Sequence, residues 1–235
     1  MQQRVRIDEL MDDPALDARA HDHALAGLAR LNAWSGSRRL LWNGIAAHAR
    51  EARACGRTLT VIDVACGSGD GPIEMAERAR RERLPIRWIL CDLSAHALGV
   101  ATERARGRGL EVETIVADVV ARPLQTMGDV VTCSLFIHHC EPDAAVAAMR
   151  HMRDAARIGV GITDLDRTRR GLALAWLGSR ALSRSPVVHF DATASVRAAF
   201  TRSEAAELAQ AAGLDGARIE PAFPERWRLW WRRPA

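Results

Sequence analysis

Apolar residues change their spacing along the chain at about residue 57. Before that point they recur at helical spacing, in LDARAHDHALAGLARLN and again in SRRLLWNGIAAHAREARA. The turn-forming segment WSGS at 34–37 separates these two stretches, and Ser37 is placed to cap the second. The pattern predicts two helices within residues 8–55.

From residue 57 onwards, short runs rich in Val, Ile and Leu alternate with stretches of helical spacing. Such runs are typical of buried strands, and each alternation is typical of a strand–helix–strand unit. Five strands are predicted, in TLTVIDVA, IRWILCDL, LEVETIVADV, DVVTCSLFI and ARIGVGITDL. Helices are predicted in PIEMAERARRER, SAHALGVATERAR and EPDAAVAAMRHMRDA, the second capped by Ser94. This order predicts a doubly wound, mostly parallel α/β sheet.

The alternation stops between residues 166 and 199. RTRRGLALAWLGSRALSR has helical spacing, whereas SPVVHFDATASVRAAF has no clear period and is predicted to be irregular. A further helix, capped by Thr201 or Ser203, precedes two closing strands, GARIEPAF and RWRLWWRR. In the last one, a period near two places Trp227, Leu229 and Trp231 on one buried face, as expected for an edge strand.

These segments suggest an organisation into a lid and a core. Residues 1–56 are predicted to form an N-terminal helical lid, and residues 57–235 the core. Within that core, 165–200 is predicted to be an inserted substrate cap.

Composition narrows the class of protein. The chain has 235 residues, 48% of them hydrophobic and 26% charged, which is ordinary for one globular domain. No apolar run approaches the roughly 20 residues needed to cross a bilayer, and the charged N-terminus lacks a signal-peptide core. We therefore expect a cytoplasmic protein without a membrane span.

Charge and cysteines add little specific chemistry. The net charge of +4 comes from 33 basic residues, all arginine, which are scattered among 29 acids. This distribution favours a solvated surface over a nucleic-acid interface. The five cysteines have no zinc-type spacing, so we expect reduced thiols and no metal.

The stretch VIDVACGSGDG at 61–71 holds the strongest candidate for ligand binding. It ends the first predicted strand, where ligands of open α/β sheets bind. Its glycines, Gly67, Gly69 and Gly71, differ in spacing from the G-x-G-x-x-G of dinucleotide sites. Asp70 lies in the turn, where a carboxylate would repel a pyrophosphate and tolerate a cationic ligand. The pattern therefore favours a sulfonium cofactor over NAD.

The ends of the next strands supply further polar groups. Asp92 follows Gly69 by 23 residues, close to the spacing expected for an acid that binds ribose hydroxyls. Asp118 ends the third strand, and the fourth ends in SLFIHHC, with His138 and His139 directly after it. Asp164 ends the fifth strand and either points towards the same edge or satisfies loop amides.

Taken in this order and spacing, VIDVACGSGDG, LCDLS, VADV and SLFIHHC resemble the class I, Rossmann-like SAM-dependent methyltransferases. The resemblance covers about residues 57–164, and the closing helix and strands fit the reversed hairpin of that family. It implies a seven-stranded, mostly parallel sheet with N-terminal helices and an inserted helical cap. It also implies S-adenosylmethionine as the cofactor.

The resemblance assigns binding roles by position. It implies that the first loop supports the methionine part, that Asp92 binds the ribose, and that the third strand end binds the adenine. The implied cofactor-binding residues are Asp63, Ala65, Gly67, Gly69, Asp92, Leu93, Asp118, Val119 and Ser134. Ala65 stands where many members have a glycine, which matters little unless the position requires a positive φ.

The expected reaction is methyl transfer to a small, partly hydrophobic acceptor. A hydroxyl oxygen would need a general base, and histidine has a suitable pKa. His139 is the first candidate, followed by His138 and by His189 in the predicted cap. The layout also resembles methyltransferases of polyketide and phenolic-lipid pathways, which suggests secondary metabolism and a phenolic hydroxyl.

Several alternatives remain open on the sequence. They are a C- or N-methyltransferase of another small molecule or RNA, an NAD-dependent oxidoreductase, and a non-catalytic SAM-binding module. The expected partner is the acceptor alone, without nucleic acid, and the chain is expected to be a monomer or a homodimer.

Overall fold

A seven-stranded sheet forms the centre of the molecule. The computed structural model describes residues 3–12, 16–34, 36 and 40–234, so the predicted cap Ser37 lies outside the described residues. The strand order is β3-β2-β1-β4-β5-β7-β6. Strands β1 to β5 are parallel, and β7 runs antiparallel to both β5 and β6. The strands are β1 (Leu59–Val64), β2 (Ile86–Asp92), β3 (Glu113–Val116), β4 (Gly128–Ser134), β5 (Ala156–Leu165), β6 (Arg218–Ala222) and β7 (Arg226–Arg232). The predicted α/β sheet is confirmed.

Eight α-helices accompany the sheet in the described part of the chain. They are α1 (Ala18–Trp34), α2 (Trp42–Ala54), α3 (Asp70–Arg81), α4 (Ala95–Arg106), α5 (Pro142–Ala155), α6 (Arg169–Leu182), α7 (Pro186–Ala198) and α8 (Arg202–Ala211). Two short 3-10 helices span Leu10–Asp12 and Ile137–His139. The hydroxyl of Ser94 accepts a hydrogen bond from Ala97 N at 3.2 Å, and Thr201 forms a capping box with Glu204. Local side chains therefore fix where α4 and α8 begin.

The helices cover the two faces of the sheet. Alternate residues of β1 point to opposite sides, as the pleat requires. Leu59 and Val61 pack with α2 and α3, whereas Ile62 and Val64 pack with α5 and α8. Helix α4 packs on β2 and β3, whereas α1, α6 and α7 pack on one another. They form a cap over the carboxyl ends of β4 and β5, because residues from these helices and from both strand ends line one cavity.

Two predictions are wrong. Residues 186–198 form α7 instead of an irregular segment; the helix is buried on nearly all sides, so its sequence shows no amphipathic period. Ser185 caps the start of this helix, where its side chain accepts a hydrogen bond from Val188 N, and Pro186 is the first helical residue. Strand β7 is not an edge strand, because it lies between β5 and β6. Its predicted face is nevertheless buried, with Trp227, Leu229 and Trp231 at most 3% exposed.

Candidate active site

The loop after β1 has an unusual backbone. Gly67 and Gly69 have φ angles of +53° and +74°, and Ala65 has a φ of +50°. A Cβ on Gly69 would lie 2.9 Å from the Cβ of Ala101, so α4 packs too closely for a side chain there. The left-handed conformation costs a non-glycine residue about 1 kcal/mol. Ala65 is therefore a less neutral replacement for glycine than the sequence suggested.

Asp92 holds this loop from the end of β2. Its Oδ2 accepts a hydrogen bond from Gly67 N at 2.7 Å, and its Oδ1 accepts one from Ser94 N at 2.9 Å. A Cβ on Gly67 would meet no atom within 4 Å, so this side of the backbone is open beside the Asp92 carboxylate. The loop and the acid thus form a cradle that suits a ligand with hydroxyl groups.

Asp63 lies beneath the loop and is 2% exposed. Burial raises its pKa, a hydrogen bond from Thr132 opposes the rise and the nearby Asp92 adds to it, so that the pKa is about 7. The hydroxyl of Thr132 donates to Asp63 Oδ1 at 2.6 Å. A cationic group above the loop would stabilise the charged form of Asp63.

Asp70 carries less weight than the sequence suggested. It is the first residue of α3, and its carboxylate lies 3.2 Å from the guanidinium of Arg104, with both side chains partly exposed. This ion pair offsets the negative charge that was expected to repel a pyrophosphate. The preference for a cationic ligand rests instead on Asp63 and Asp92.

The ends of β2 and β3 offer an apolar surface next to the cradle. Leu93 is 67% exposed directly after Asp92, and Val116 is 60% exposed at the end of β3. Asp118 Oδ1 accepts hydrogen bonds from Val120 N and Ala121 N at 2.9 and 3.0 Å, so this oxygen caps a turn. Val119 is 5% exposed and packs into the core. An exposed apolar strand end beside a carboxylate cradle fits an adenosine group.

His138 forms the most constrained polar contact of the site. Its Nδ1 lies 2.6 Å from Asp164 Oδ1, and its backbone N–H donates to Asp164 Oδ2 at 3.0 Å. Burial lowers the pKa of His138, but the charge and hydrogen bond of Asp164 outweigh it, so the pKa is raised above 6.5. Burial likewise opposes ionisation of Asp164, but His138 lowers its pKa. Asp164 therefore orients the ring and leaves Nε2 to face away from it.

The other two predicted histidines have different environments. The ring of His139 lies 4.2 Å from that of His138, and burial together with the neighbouring His138 lowers its pKa to about 3. His189 lies in α7, where its Nε2 is 2.8 Å from the carbonyl oxygen of Ser183. His139 lines the cavity together with His138, and His189 does not.

A cavity of about 180 Å³ begins at these two histidines. Its walls are mainly apolar and come from the cap and the ends of β4 and β5. Glu9 adds a carboxylate 3.9 Å from His138 Nε2, and Arg226 adds a buried guanidinium whose pKa burial lowers to about 10. The apolar lining comprises Leu28, Leu31, Leu135, Leu165, Leu174, Ala175, Ala192 and Val196.

Ser134 and Leu135 lie between the cavity and the loop after β1. Ser134 ends β4, which pairs with β1, and Leu135 follows with a φ of +56°. The Leu135 N–H donates to Thr163 O at 2.9 Å, which holds this strained residue in place. Strained residues are concentrated at functional sites. The cradle and the cavity therefore lie at the ends of adjacent strands.

Three residues of the cavity, Glu9, Leu135 and Arg226, are not among those predicted from the sequence. Glu9 is distant along the chain and reaches His138 only after the N-terminal segment folds back, where Arg4 donates to the carbonyls of His138 and Cys140 at 3.0 and 2.7 Å. No local motif marks such a contact. The period of the last strand predicts that Arg226 lies on the face opposite Trp227, so it gave no sign that Arg226 is only 5% exposed.

Comparison with known proteins agrees with this geometry. Residues 61–159 match a family described as methyltransferase domain. This segment runs from β1 into β5 and includes the cradle and both cavity histidines. A search of curated proteins gives no match.

Solved structures share the fold at low sequence identity. The plantazolicin methyltransferase BpumL, in complex with a monoazolic desmethylPZN analog and SAH, is 11% identical with a TM-score of 0.64, over 92% of this chain and 98% of that one. The SAM-dependent methyltransferase SibL is 22% identical with a TM-score of 0.59, over 77% of this chain and 52% of that one. Magnesium protoporphyrin IX methyltransferase from Synechocystis PCC 6803 with bound SAM is 14% identical with a TM-score of 0.50, over 96% of this chain and 88% of that one.

Residues 61–159 therefore carry a methyltransferase domain, and the chain shares its fold with SAM-dependent methyltransferases. No helix in the described part of the chain has the length and apolar character to cross a bilayer.

Proposed function

We propose that the protein methylates a hydroxyl oxygen of a small, partly hydrophobic acceptor, with His138 as the general base. The cavity beside His138 is the observation that carries this proposal. Its apolar lining suits an acceptor with a hydrocarbon or aromatic body, and its polar corner suits one reacting group. Bound S-adenosylmethionine supplies a methyl group already activated by its sulfonium, so the protein mainly aligns the two partners.

We propose that the residues expected from the sequence hold the cofactor. Asp63, Ala65, Gly67 and Gly69 would support the methionine part, and Asp92 would bind the ribose hydroxyls. Leu93, Asp118 and Val119 would bind the adenine, the first through its exposed side chain. Ser134 would contact the cofactor where β4 meets the cavity.

The structure favours His138 over His139 and His189 as the base. Asp164 fixes the ring of His138 through Nδ1, so that Nε2 can accept the proton of an acceptor hydroxyl. The raised pKa of His138 gives it a higher proton affinity than an isolated imidazole. His139, with a pKa of about 3, is a weak base, and we propose that it positions the acceptor.

We further propose that the lid is built from two separate parts of the chain: the N-terminal segment with α1, and α6 with α7. Helix α1 packs with α6 and α7, while α2 packs on the sheet with α3. The predicted boundary at residue 56 would then move to the connection between α1 and α2. The N-terminal segment completes the lid, because Asp191 accepts hydrogen bonds from Leu10 N and Met11 N at 2.8 and 3.2 Å.

Mass spectrometry identifies the acceptor and the methylated atom. A small-molecule extract is incubated with the protein and methyl-labelled SAM, and the labelled product is fragmented. We expect the label on a hydroxyl oxygen. A label on carbon, nitrogen or RNA would contradict this proposal.

The identified acceptor then tests the base. His138→Gln should lower kcat by about a hundredfold, since a general base contributes at least that much, and should leave SAM affinity unchanged. His189→Gln is the matched control and should retain activity. The side chains of Glu9, His138 and His139 place ligand atoms within 4.8 Å of one another, a spacing that could hold a metal ion. Loss of activity on treatment with EDTA would indicate such an ion and would contradict the role of His138 as a general base.

A further inference from the structure

Helix α6 exposes large apolar side chains at its centre. Leu174, Trp176 and Leu177 are 38%, 48% and 57% exposed, although the other side of the helix is covered by α1 and α7. Contiguous exposed side chains of this size mark interaction sites more often than isolated ones do. Leu174 also lines the cavity, so this apolar surface reaches the proposed acceptor site.

Exposed arginines flank the apolar centre at both ends. Arg169 and Arg170 begin the helix, and Arg180 and Arg184 lie at and just beyond its end. Residues 167–190 contain no Asp or Glu, although acids are frequent elsewhere in the chain. We call these four arginines, together with Leu174, Trp176 and Leu177, the α6 face.

The α6 face has the chemistry of a helix that lies on a membrane surface. Interfacial helices combine arginine with Trp and Leu, and they bind anionic lipids through both charge and buried apolar area. The guanidinium of Arg180 lies 4.3 Å from the centre of the Trp176 ring, and this cation–π contact keeps the two side chains together on the exposed side of the helix. Trp is enriched at the depth of the lipid headgroups.

We propose that the α6 face binds the surface of a bilayer that contains anionic lipids, with α6 parallel to the membrane. The cavity then opens towards the lipid, and a lipophilic acceptor can enter it from the bilayer. Only this route of entry depends on the proposed function. Binding to the bilayer depends on the α6 face alone.

Sedimentation with vesicles tests the surface directly. The full-length protein is mixed with vesicles of phosphatidylcholine, either alone or with added phosphatidylglycerol. We expect binding only to the mixed vesicles and weaker binding at high salt. Leu177→Glu should abolish binding, while circular dichroism and Tm confirm that this exposed position leaves the fold intact.

Matched charge variants separate the α6 face from net charge. Replacing Arg169, Arg170, Arg180 and Arg184 by Gln should weaken vesicle binding by tenfold or more, because each exposed arginine near the surface is attracted to anionic lipid. Replacing four exposed arginines outside α6 and α7 removes the same charge and should change it little. These controls are Arg57, Arg81, Arg122 and Arg218. Equal losses in both variants would overturn the proposal.

Two further measurements distinguish other outcomes. Brominated lipid should quench fluorescence of the wild type more than that of Trp176→Phe, since Trp176 enters the headgroup layer. A dimer that Leu177→Glu dissociates, seen by light scattering without vesicles, would assign the α6 face to a second copy and contradict the proposal. SAM affinity, measured separately, reports on the proposed function and is expected to be the same in all these variants.

Discussion

Asp63, buried beneath the loop after β1, makes the stability of the fold depend on pH. Burial raises its pKa from 3.8 to about 7, so the folded protein binds this proton more tightly than the unfolded chain does. The contribution of Asp63 to stability is therefore lost as pH rises from about 4 to about 7. At pH 8, the cost of keeping the ionised Asp63 carboxylate buried lowers the free energy of unfolding by about 2–4 kcal/mol.

Asp63→Asn should remove the cost of burying a charged carboxylate. We expect the variant to gain about 2 kcal/mol in the free energy of unfolding at pH 8 and almost nothing at pH 4. Urea denaturation at the two pH values measures the difference. A gain that is equal at both would show that Asp63 is already ionised without cost.

Ala65 has a backbone conformation that glycine adopts more easily. Ala65→Gly relieves the positive φ but adds backbone entropy to the unfolded chain, so we expect a small net gain of about 0.5 kcal/mol. Thermal unfolding of this variant should show a Tm above that of the wild type. A lower Tm would indicate that the methyl group packs favourably enough to outweigh the strain.

Asp164 is proposed as a positioning residue, and a pH profile distinguishes this role from a merely structural one. The base must be neutral, so kcat/KM of the wild type should rise with pH through a pKa above 6.5. Asp164→Asn removes the carboxylate that stabilises the imidazolium of His138, so the rise of kcat/KM should move to lower pH. The maximal kcat/KM at high pH should fall at least tenfold. An unchanged limb with a reduced plateau would exclude the pairing as the cause.

The sequence identified the acids at the ends of strands but not their partners. Asp63, Asp92 and Asp118 are separated from the glycine loop by spacings that the fold class fixes. The pairing of His138 with Asp164 joins residues 26 positions apart across β4 and β5. It requires the register of those strands, which no local pattern provides.

Trp230 shows how closely two elements approach behind the sheet. Its ring stacks on His48 of α2, with centroids 5.8 Å apart, and a Cβ on Gly161 would lie 2.3 Å from it. Gly161→Ala should therefore cost about 1–3 kcal/mol through overpacking. Trp230→Leu should reduce that cost, and a double-mutant cycle by urea denaturation measures the coupling. Additive effects would contradict this contact.

Elements with one buried face were predictable, and those in unusual environments were not. Strands β1, β2, β4 and β5 have continuous apolar runs, and the helices beside them alternate polar and apolar sides. Helix α7 is buried on nearly all sides, so periodicity failed there. The place of β7 between β5 and β6 depends on which strands pair, and its residues alone do not specify that.

The cap and the sheet divide the work of the whole molecule. In the proposed reaction, the sheet would hold the cofactor at the ends of β1 and β2, and the cap would enclose the acceptor at the ends of β4 and β5. This division follows from the strand order, which reverses between β1 and β4. Local sequence motifs predict the cradle at the ends of β1 and β2, whereas the cavity is formed by segments that are distant along the chain.

Calorimetric titration with SAM tests the cradle most directly. The wild type and Asp215→Asn, a change at an exposed acid, should bind SAM equally, and NADH should not bind. Asp92→Asn should weaken SAM binding by at least tenfold, because a charged acceptor of hydrogen bonds from the ribose is lost. Unchanged SAM affinity in Asp92→Asn, or binding of NADH by the wild type, would contradict the account.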